Sequence, residues 1–469
     1  MTAHAHYVNQ HLNKKGAPMA KQSKSFRVGR VRGDLRAKVW YLTYYDQGQR
    51  HRPRIGSDLD EARRQAAEIN SQLENGAPIS SAFQSIKISE LRERWLEHHE
   101  TVVRSSLKTI ARYRSATNHL IAFLVDSRVS ASTGQFRIEH AERFVKHLRS
   151  ITISPNGHPH SAKRPLRDKG LRYILEVCRS MFHFAVQRRH LPPYADNPFS
   201  ALQIEKIPTE DSKPIVIFSS GQEQDFLRTA DDWQFPIFLT LMLTGLRPGE
   251  LSHLYWPDDV NNELQAIVIR NRPQLGWQVK TRTERLIPLP AVLLEVINSH
   301  ALNRRAGTLF QRRRFNCKQA PLLAGCSIEA LEKELQLRIM RREAESDRPL
   351  TRVDRQQICQ TVWRDAGMIK TDYIRTSFMQ ICSKAGLKGF TSPKMLRHLF
   401  ATTLQEGRVD PLIRNELMGH STKATSRSNP LGMTATYTHT RPATMRDQLE
   451  RALKDRPGIA IAEEWLTNR

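Results

Sequence analysis

Two turn-rich segments divide this sequence and limit how far any single hydrophobic core can extend. The first is Asn75-Gly76-Ala77-Pro78, and the second is the proline-rich stretch from Leu191 to Pro214. Glycine and proline favour turns and linkers over the interiors of helices and strands. The chain has 469 residues, and a domain usually takes about 150. The breaks therefore predict three domains, at residues 1–75, 85–200 and 214–455, with a C-terminal tail at 456–469.

The spacing of the hydrophobic residues changes from a strand period to a helical period before the first break. Residues 26–55 alternate as strands do, with a turn expected at Gly33-Asp34, and a helical pattern runs from Asp58 to Leu73. The first domain is thus predicted to be a small sheet with one helix. Apolar residues then recur at helical spacing in four segments of the second domain, which are 89–99, 107–125, 137–149 and 166–188.

The third domain mixes the two periods. Between helical patterns, strands are predicted at Leu264 to Arg270, near Trp277 to Lys280 and at Glu284 to Leu289. The predicted fold class is therefore multidomain and mainly α with small β-sheets, with an α+β third domain.

The charge balance predicts a polyanionic partner. The chain has 73 Lys and Arg against 47 Asp and Glu, a net charge of +26. Nucleic acid is the leading candidate, because a basic chain of this kind attracts phosphate backbones. Residues 1–54 hold 12 basic residues and two acids, Asp34 and Asp46. This segregation favours an accessory DNA-binding module over an ordinary solvated face.

The remaining composition narrows the class of protein. An anionic membrane surface would also attract basic charge, but the sequence has no apolar run long enough to span a bilayer and no lipidation or signal-peptide pattern. We therefore expect a soluble, cytoplasmic protein. The five cysteines are scattered and never paired at a CxxC spacing, and neither a GxxxxGK[ST] nor a GxGxxG motif occurs. The sequence thus predicts no disulfide framework, metal or cofactor, so that side chains must perform any chemistry.

Two basic residues of the third domain stand where they are able to meet a phosphate. Arg247 follows an apolar helix at a turn, where its fork suits a phosphate and Glu250 fixes its orientation. Taken alone, the pair is equally compatible with a structural ion pair. Lys280 is predicted at the tip of a hairpin. A hairpin lysine is usually solvated, but one that reaches DNA is able to protonate an alkoxide leaving group.

Further candidates follow towards the C-terminus. Lys394 and Arg397 lie three apart at the start of a predicted helix, and two cations that close favour an anion between them. His420 directly follows the glycine stop of a short helix, where a mere cap is the simpler interpretation. Tyr437 lies in a mostly polar, helix-compatible stretch, where a lone tyrosine is usually half-buried packing.

The order of these segments resembles one known family. TGLRPGEL, VKTRTERLIPL, LRHLFATT, LMGHS and TATYTH occur in this order, and together they resemble the tyrosine recombinase, or phage-integrase, family. The resemblance implies that Arg247 and Arg397 hold a phosphate, that Lys280 is the general acid, that His420 is a further donor and that Tyr437 is the nucleophile. It also implies a recombinase-like catalytic domain preceded by a helical core-binding domain and an arm-binding domain.

Three features depart from the family pattern. Lys394 stands where the family usually has histidine; lysine keeps a donor and a positive charge but is a poor base at neutral pH. His420 and Tyr437 lie 17 positions apart, wider than the family's interval. Residues near 311–372 look like a helix-prone insertion that contacts either DNA or a neighbouring subunit.

Three functions remain open at this point. The resemblance implies site-specific recombination of double-stranded DNA, for the integration or excision of a mobile element. It also implies a homotetramer on paired DNA sites and is compatible with an accessory DNA-bending protein. A type IB topoisomerase would use the same chemistry as a monomer. A catalytically silent DNA-binding protein is the alternative from another class, although such a protein has no need of the whole set from Arg247 to Tyr437.

Overall fold

A computed structural model describes residues 24–46, 49–74, 84–127, 129–154, 160–192, 195–209, 215–315, 319–420 and 440–468. The chain divides into two compact units after Ser212, within the second turn-rich break. Tyr437 and the polar stretch before it lie outside the described residues. Within the described ranges, each helix is too short or too polar to span a lipid bilayer.

The first unit begins with a five-stranded antiparallel sheet. Its strands are β1 Ser25–Val28, β2 Val31–Arg36, β3 Val39–Asp46, β4 Gln49–His51 and β5 Arg54–Gly56. Alternate residues of β3, including Leu42 and Tyr44, are buried against helix α1, Leu59–Glu74. The predicted sheet and helix are therefore present. The turn expected at Gly33-Asp34 is wrong, because both residues belong to strand β2 and pair with β3. The chain reverses instead at Ala37 and Lys38.

The helical part of the first unit follows the predicted pattern closely. Its helices are α2 Ile88–Thr101, α3 Leu107–Asp126, α4 Ile138–Ser150 and α5 Asp168–Gln187, and the short strands β6 Thr152–Ile153 and β7 Arg164–Pro165 pair between α4 and α5. Their core includes Trp95, Leu120, Phe144 and Phe182. This hydrophobic cluster is separate from that of the sheet.

The second unit contains helices with short antiparallel strands. The helices are α6 Ser220–Thr229, α7 Gln234–Thr244, α8 Pro248–Ser252, α9 Ala291–His300, α10 Ile328–Ala344, α11 Arg352–Asp365, α12 Thr371–Lys384, α13 Lys394–Glu406, α14 Pro411–Met418, α15 Pro442–Leu453 and α16 Pro457–Thr467. The strands are β8 Tyr255–Trp256, β9 Val260–Asn261, β10 Ala266–Ile269, β11 Arg285–Pro288 and β12 Gly307–Thr308. They form one sheet in the order β11-β10-β9 and the pair β12-β8.

Helix α7 is the centre of this unit. Every one of its residues is buried, as expected for a helix that is apolar all round. It packs against α13, α9 and α16. The turn at its C-terminal end is therefore anchored directly to the main core of the unit.

Two predictions for this unit are wrong. The strand expected near Trp277 to Lys280 is absent, and only an isolated bridge between Arg272 and Trp277 remains there. The expected C-terminal tail is instead helix α16, whose Ile461 and Ala462 are buried in the main core. Glu223 of α6 fixes the start of α16, because the Glu223 carboxylate accepts a hydrogen bond from the Gly458 N–H at 3.1 Å.

The predicted insertion is helical. Its helices α10 and α11 form a separate hydrophobic cluster in which Leu331, Leu335 and Trp363 pack against Tyr255 and Leu275. The insertion is therefore attached to the body of the second unit by buried contacts.

Candidate active site

A glycine turn after α7 determines where Arg247 begins. Gly245 has a φ of +62°, in the left-handed region that glycine adopts without strain. A Cβ atom there would lie 2.3 Å from Cδ1 of Phe400, so the position requires glycine. Pro248 then starts α8 and leaves Arg247 extended at its N-terminus.

Glu250 holds the Arg247 side chain, as the sequence predicted. Nη1 of Arg247 donates to Glu250 Oε1 at 2.7 Å, and its backbone N–H donates to Oε2 at 2.9 Å. Arg285, the first residue of β11, donates to the same carboxylate from Nη1 at 3.2 Å and from Nη2 at 2.7 Å. Burial by itself would raise the pKa of Glu250, but the hydrogen bonds and charges of Arg285 and then Arg247 lower this pKa overall. Glu250 is thus an ionised carboxylate shared by two guanidinium groups.

Arg285 also connects this carboxylate to the end of α14. Its Nε donates to the Leu417 carbonyl at 3.1 Å. Helix α14 stops at Gly419, which has a φ of +58°, and a Cβ atom there would lie 2.8 Å from Nη1 of Arg285. The buried guanidinium therefore lies against the backbone turn that precedes His420.

Arg397 of α13 joins the turns after α7 and α14. Its Nη1 donates to the Gly245 carbonyl at 2.6 Å. Its Nη2 donates to the Met418 carbonyl and lies 3.5 Å from Nε2 of His420. Burial, followed by the positive charge of Arg247, lowers the pKa of Arg397 to about 10. The side chain remains charged at neutral pH.

His420 is an exposed member of this cluster. Partial desolvation of the ring, followed by the charges of Arg397, Arg247 and Arg285, lowers its pKa. The imidazole is therefore neutral at pH 7. A neutral imidazole donates a hydrogen bond from one ring nitrogen and accepts one at the other.

The cluster has an excess of positive charge. Three guanidinium groups, those of Arg247, Arg285 and Arg397, lie around the single carboxylate of Glu250. Like charges at short range repel, so an anion placed beside them is favoured. Guanidinium forks match the oxygen geometry of phosphate. The arrangement therefore suits a phosphate group on its exposed side.

Two further candidates, Lys280 and Lys394, lie among the described residues and take no part in these contacts. Lys280 is exposed in the connection between β10 and β11, which pair as a hairpin. Lys394 is exposed as the first residue of α13, one turn before Arg397. Tyr437 lies outside the described residues. Among the described candidates, the structure thus brings together Arg247, Arg397 and His420, and the two lysines are exposed.

Arg285 is a member of the cluster that the sequence reasoning missed. A signal for it existed, because Arg285 and Ile287 occupy the same face of a predicted strand, and Ile287 is fully buried. A charged residue on a buried strand face requires an opposite charge or hydrogen bonds. Strand alternation alone therefore identifies Arg285 as a residue in need of a partner.

Comparisons with known proteins add to this geometry. The model of the phage integrase family matches residues 220–443. Tyrosine recombinase XerA of Thermococcus onnurineus (strain NA1) is 24% identical over 294 residues, which are 63% of this chain and 77% of that protein. The putative defective protein IntQ of Escherichia coli (strain K12) is 26% identical over 196 residues, 40% of this chain and 45% of that protein.

Solved integrase structures are also similar. A variant of the Tn1549 transposon integrase, in complex with a circular intermediate DNA, has a TM-score of 0.49 at 18% identity and covers 78% of this chain and 99% of that chain. A lambda integrase dimer bound to a COC′ core site has a TM-score of 0.45 at 14% identity, over 93% of this chain and 97% of that chain.

Proposed function

Because this chain belongs, through residues 220–443, to the phage integrase family, we propose that it is a site-specific DNA recombinase that integrates or excises a mobile element. The proposal rests on one observation above all. Arg247, Arg397 and His420, which come from three separate elements, lie in one cluster. Arg247 donates to Glu250, and Arg397 donates to the Gly245 carbonyl and lies 3.5 Å from the His420 ring. This positive cluster suits the phosphodiester on which a recombinase acts.

Tyr437 is the proposed nucleophile. Its phenol oxygen forms a bond to the scissile phosphorus while the bond from phosphorus to the 5′ oxygen breaks, which leaves a 3′-phosphotyrosine and a 5′ hydroxyl. A phenol has a pKa of about 10, so attack at neutral pH requires removal of its proton and neutralisation of the phosphate charge. The phosphotyrosine conserves the bond energy of the phosphodiester, and rejoining therefore needs no ATP.

Arg247 and Arg397 are proposed to bind the non-bridging oxygens of this phosphate. Guanidinium groups are always charged in proteins, and these two stabilise the charge that develops on the oxygens in the transition state. The neutral imidazole of His420 donates a further hydrogen bond from one nitrogen, and its other nitrogen is available to accept the phenol proton.

The two lysines are assigned to proton transfer and charge. Lys280 protonates the leaving 5′ oxygen, which would otherwise depart as an unfavourable alkoxide. Lys394 supplies a donor and a positive charge at the start of α13, one turn from Arg397. A charged lysine is a poor base at neutral pH, so the role of proton acceptor falls to His420 in this scheme.

The first unit is proposed to bind DNA away from the chemistry. Residues 1–75 would act as an arm-binding domain and residues 85–200 as a core-binding domain. The described part of the sheet has exposed basic side chains along its first strands and turns, namely Arg27, Arg30, Arg32, Arg36 and Lys38. Basic residues on one module suit the phosphate backbone of a separate site.

The assembly follows from the reaction. Exchange between two duplexes cuts every strand of both, and each cut needs its own tyrosine, so we propose a homotetramer on paired double-stranded sites. An accessory DNA-bending protein would help arm and core sites to meet on one assembly, since bending a short duplex costs energy.

A suicide substrate with a nick beside the scissile phosphate tests the proposal. After cleavage, the short fragment that carries the 5′ hydroxyl dissociates, and no nucleophile is left to attack the phosphotyrosine. The recombinase should therefore accumulate as a covalent adduct with DNA. A silent DNA-binding protein would form no adduct, and such a result would overturn the proposal. Strand transfer into a second duplex separates a recombinase from a type IB topoisomerase, which would relax supercoiled DNA without exchange.

A further inference from the structure

We propose that the insertion at residues 311–372 holds the loop of Lys280 in its working position, so that α11 is a positioning element for proton transfer. The loop comprises residues 270–284, between β10 and β11, and is called the lysine loop below. This inference rests on the proposed function, in which Lys280 protonates the 5′ oxygen. It concerns a part of the chain for which the sequence left two alternatives open, contact with DNA or with a neighbouring subunit.

Asn271 fixes the turn that contains Lys280. Its Oδ1 accepts the N–H of Val279 at 2.9 Å, and its Nδ2 donates to the Arg282 carbonyl at 3.1 Å. Within the turn, the Arg282 N–H donates to the Val279 carbonyl at 2.8 Å. The Val279 side chain is buried in the main core. The backbone on both sides of Lys280 is thus held, while its ammonium group is exposed.

The base of the lysine loop contacts the insertion. Nε1 of Trp363 in α11 donates to the Leu275 carbonyl at 2.9 Å, and both side chains are buried. Cys359, one turn earlier in α11, packs against Gly276 so closely that a Cβ atom there would lie 2.9 Å from its Sγ. Gln356 donates to the Gly276 carbonyl at 3.4 Å. Helix α11 therefore fixes the loop by both hydrogen bonds and packing.

The fixed base is connected to the Lys280 turn and to the arginine cluster. The backbones of Arg272 and Trp277 exchange two hydrogen bonds of 3.0 Å, which close the base of the loop. The Trp277 ring stacks on His253 with centroids 3.6 Å apart and an angle of 6°. The His253 ring bonds through Nδ1 to the Gly249 carbonyl of α8 at 2.7 Å, and α8 begins directly after Arg247. One set of contacts thus relates the general acid to a phosphate-binding arginine.

The chemistry requires such a support. A general acid acts only within about 2.6–3.2 Å of the atom that it protonates, and a displacement of about 1 Å is able to cost a hundredfold in rate. Without α11, the base of the lysine loop would lose its buried contacts. The long, flexible lysine side chain would then sample many positions away from the 5′ oxygen.

Two exposed arginines of the insertion are engaged with acidic residues. On α11 and the turn before it, Arg355 pairs with Glu343 at 2.9 Å and Arg348 pairs with Asp354 at 2.9 Å. These arginines already have acidic partners. At these two positions an unpaired arginine would suit a phosphate backbone better.

Trp363→Phe tests the proposal, because phenylalanine keeps one aromatic ring in the cluster but removes the N–H that donates to the Leu275 carbonyl, together with part of the volume of the indole. The test compares cleavage of ordinary suicide DNA with DNA whose 5′ bridging oxygen is replaced by sulfur, a leaving group that needs no proton. We expect Trp363→Phe to slow cleavage of ordinary DNA about tenfold to a hundredfold and to recover most of the rate on the sulfur substrate. Lys280→Ala should lose about 10²–10⁴-fold and recover in the same way, whereas Arg247→Ala should not recover.

Two further variants make the result specific. Trp233→Phe is the matched control, since the buried indole of Trp233 also donates to a backbone carbonyl at 2.9 Å, that of Gln311 at the first position of the insertion, outside α11 and the lysine loop. This variant should cleave both substrates at close to the wild-type rate. Asn271→Ala changes the turn itself without touching the insertion and should behave as Trp363→Phe does.

The outcomes are distinguishable. If Trp363→Phe is equally slow on both substrates, or unchanged on ordinary DNA while Asn271→Ala is slow, the insertion does not act through Lys280 and the proposal is overturned. If Trp363→Phe binds DNA more weakly but cleaves bound DNA at the wild-type rate, the insertion is a DNA contact. Failure of the wild-type protein to form any adduct would overturn the proposed function first, and this role of the insertion with it.

Discussion

Arg285 and Glu250 form a buried ion pair in which Nη2 lies 2.7 Å from Oε2 and the side chains are only 4% and 2% exposed. Such a pair is weak evidence for stability as a whole, because both charges lose their hydration. Removal of one partner is different, since it leaves the other charge buried without full compensation. The pair therefore makes the geometry around Arg247 sensitive to a residue that is itself buried.

Arg285→Met should destabilise the protein by about 3 kcal/mol, the cost typical of a broken buried pair. Arg228→Met is the matched control, because Arg228 pairs with Glu464 at 3.1 Å but the side chains are 60% and 56% exposed. An exposed pair contributes only about 0–1 kcal/mol. Unfolding in guanidinium chloride measures both. Equal losses in the two variants would show that the Arg285 pair has no special role.

The pH dependence of stability should also depend on Glu250. Its pKa in the folded protein is lowered, so its carboxylate contributes stability above the unfolded pKa of about 4.3, and this contribution is lost as the pH falls through the folded pKa. Glu250→Gln should therefore be less stable than the wild type at pH 7, and the difference should shrink as the pH falls below about 4. Unfolding free energies measured across this range test the sign. A difference independent of pH would mean that the carboxylate's charge is not the cause.

Local signals predicted the helices well. The pattern at residues 107–125 became α3, Leu107–Asp126, and the predicted glycine stop before His420, Gly419, does end α14. These features depend on residues close in sequence, whose periodicity and capping chemistry are visible without a fold. The strands were less predictable, because strand pairing depends on distant residues.

The failures have physical causes. The hairpin reversal at Ala37 and Lys38 uses positive φ values of 44° and 66° at residues that rarely adopt them, so no glycine signalled it. Helix α16 was taken for a tail because its apolar residues find their partners in α6, α7 and α9, which precede it by more than 150 positions. The meeting of Arg247, Arg397 and His420 was available only through the family resemblance, since backbone carbonyls far apart in sequence position Arg397.

Tyr437→Phe removes only the attacking oxygen. It should abolish the covalent adduct on suicide DNA while DNA affinity stays close to that of the wild type, because a phenyl ring fills nearly the same volume. Gel separation of protein–DNA adducts and a binding titration at one salt concentration measure the two effects. A surviving adduct would place the nucleophile elsewhere, and Tyr373, which is exposed, is then the next tyrosine to change.

Deletion of residues 1–75 should weaken binding to DNA that contains an arm site and make that binding less dependent on salt. Each phosphate contact that is lost lowers the slope of log affinity against log salt by about one. Cleavage of a short core site should persist, because the arginine cluster lies in the second unit. A truncated protein that remains folded, as judged by circular dichroism, but no longer cleaves the core site would contradict this division of labour.

Gly419→Ala should disturb the site through Arg285. The substitution has two costs, since alanine is strained at a φ of +58° and its Cβ would lie 2.8 Å from the buried Arg285 guanidinium. Gly386→Ala is a matched control, because Gly386 has a φ of +69° but no atom within 4 Å of the added Cβ. The control should lose about 1 kcal/mol from backbone strain alone and keep its cleavage rate.

In Gly419→Ala, the displaced guanidinium releases Glu250, and the turn that leads to His420 shifts with it. We therefore expect a larger loss of stability than in Gly386→Ala and a cleavage rate lowered about tenfold to a hundredfold, measured on suicide DNA at saturating protein. Sulfur at the 5′ bridging position should not restore this rate, because the defect lies in phosphate binding and not in proton delivery. If both alanine variants cleave at the wild-type rate, the contact between Gly419 and Arg285 does not position the cluster.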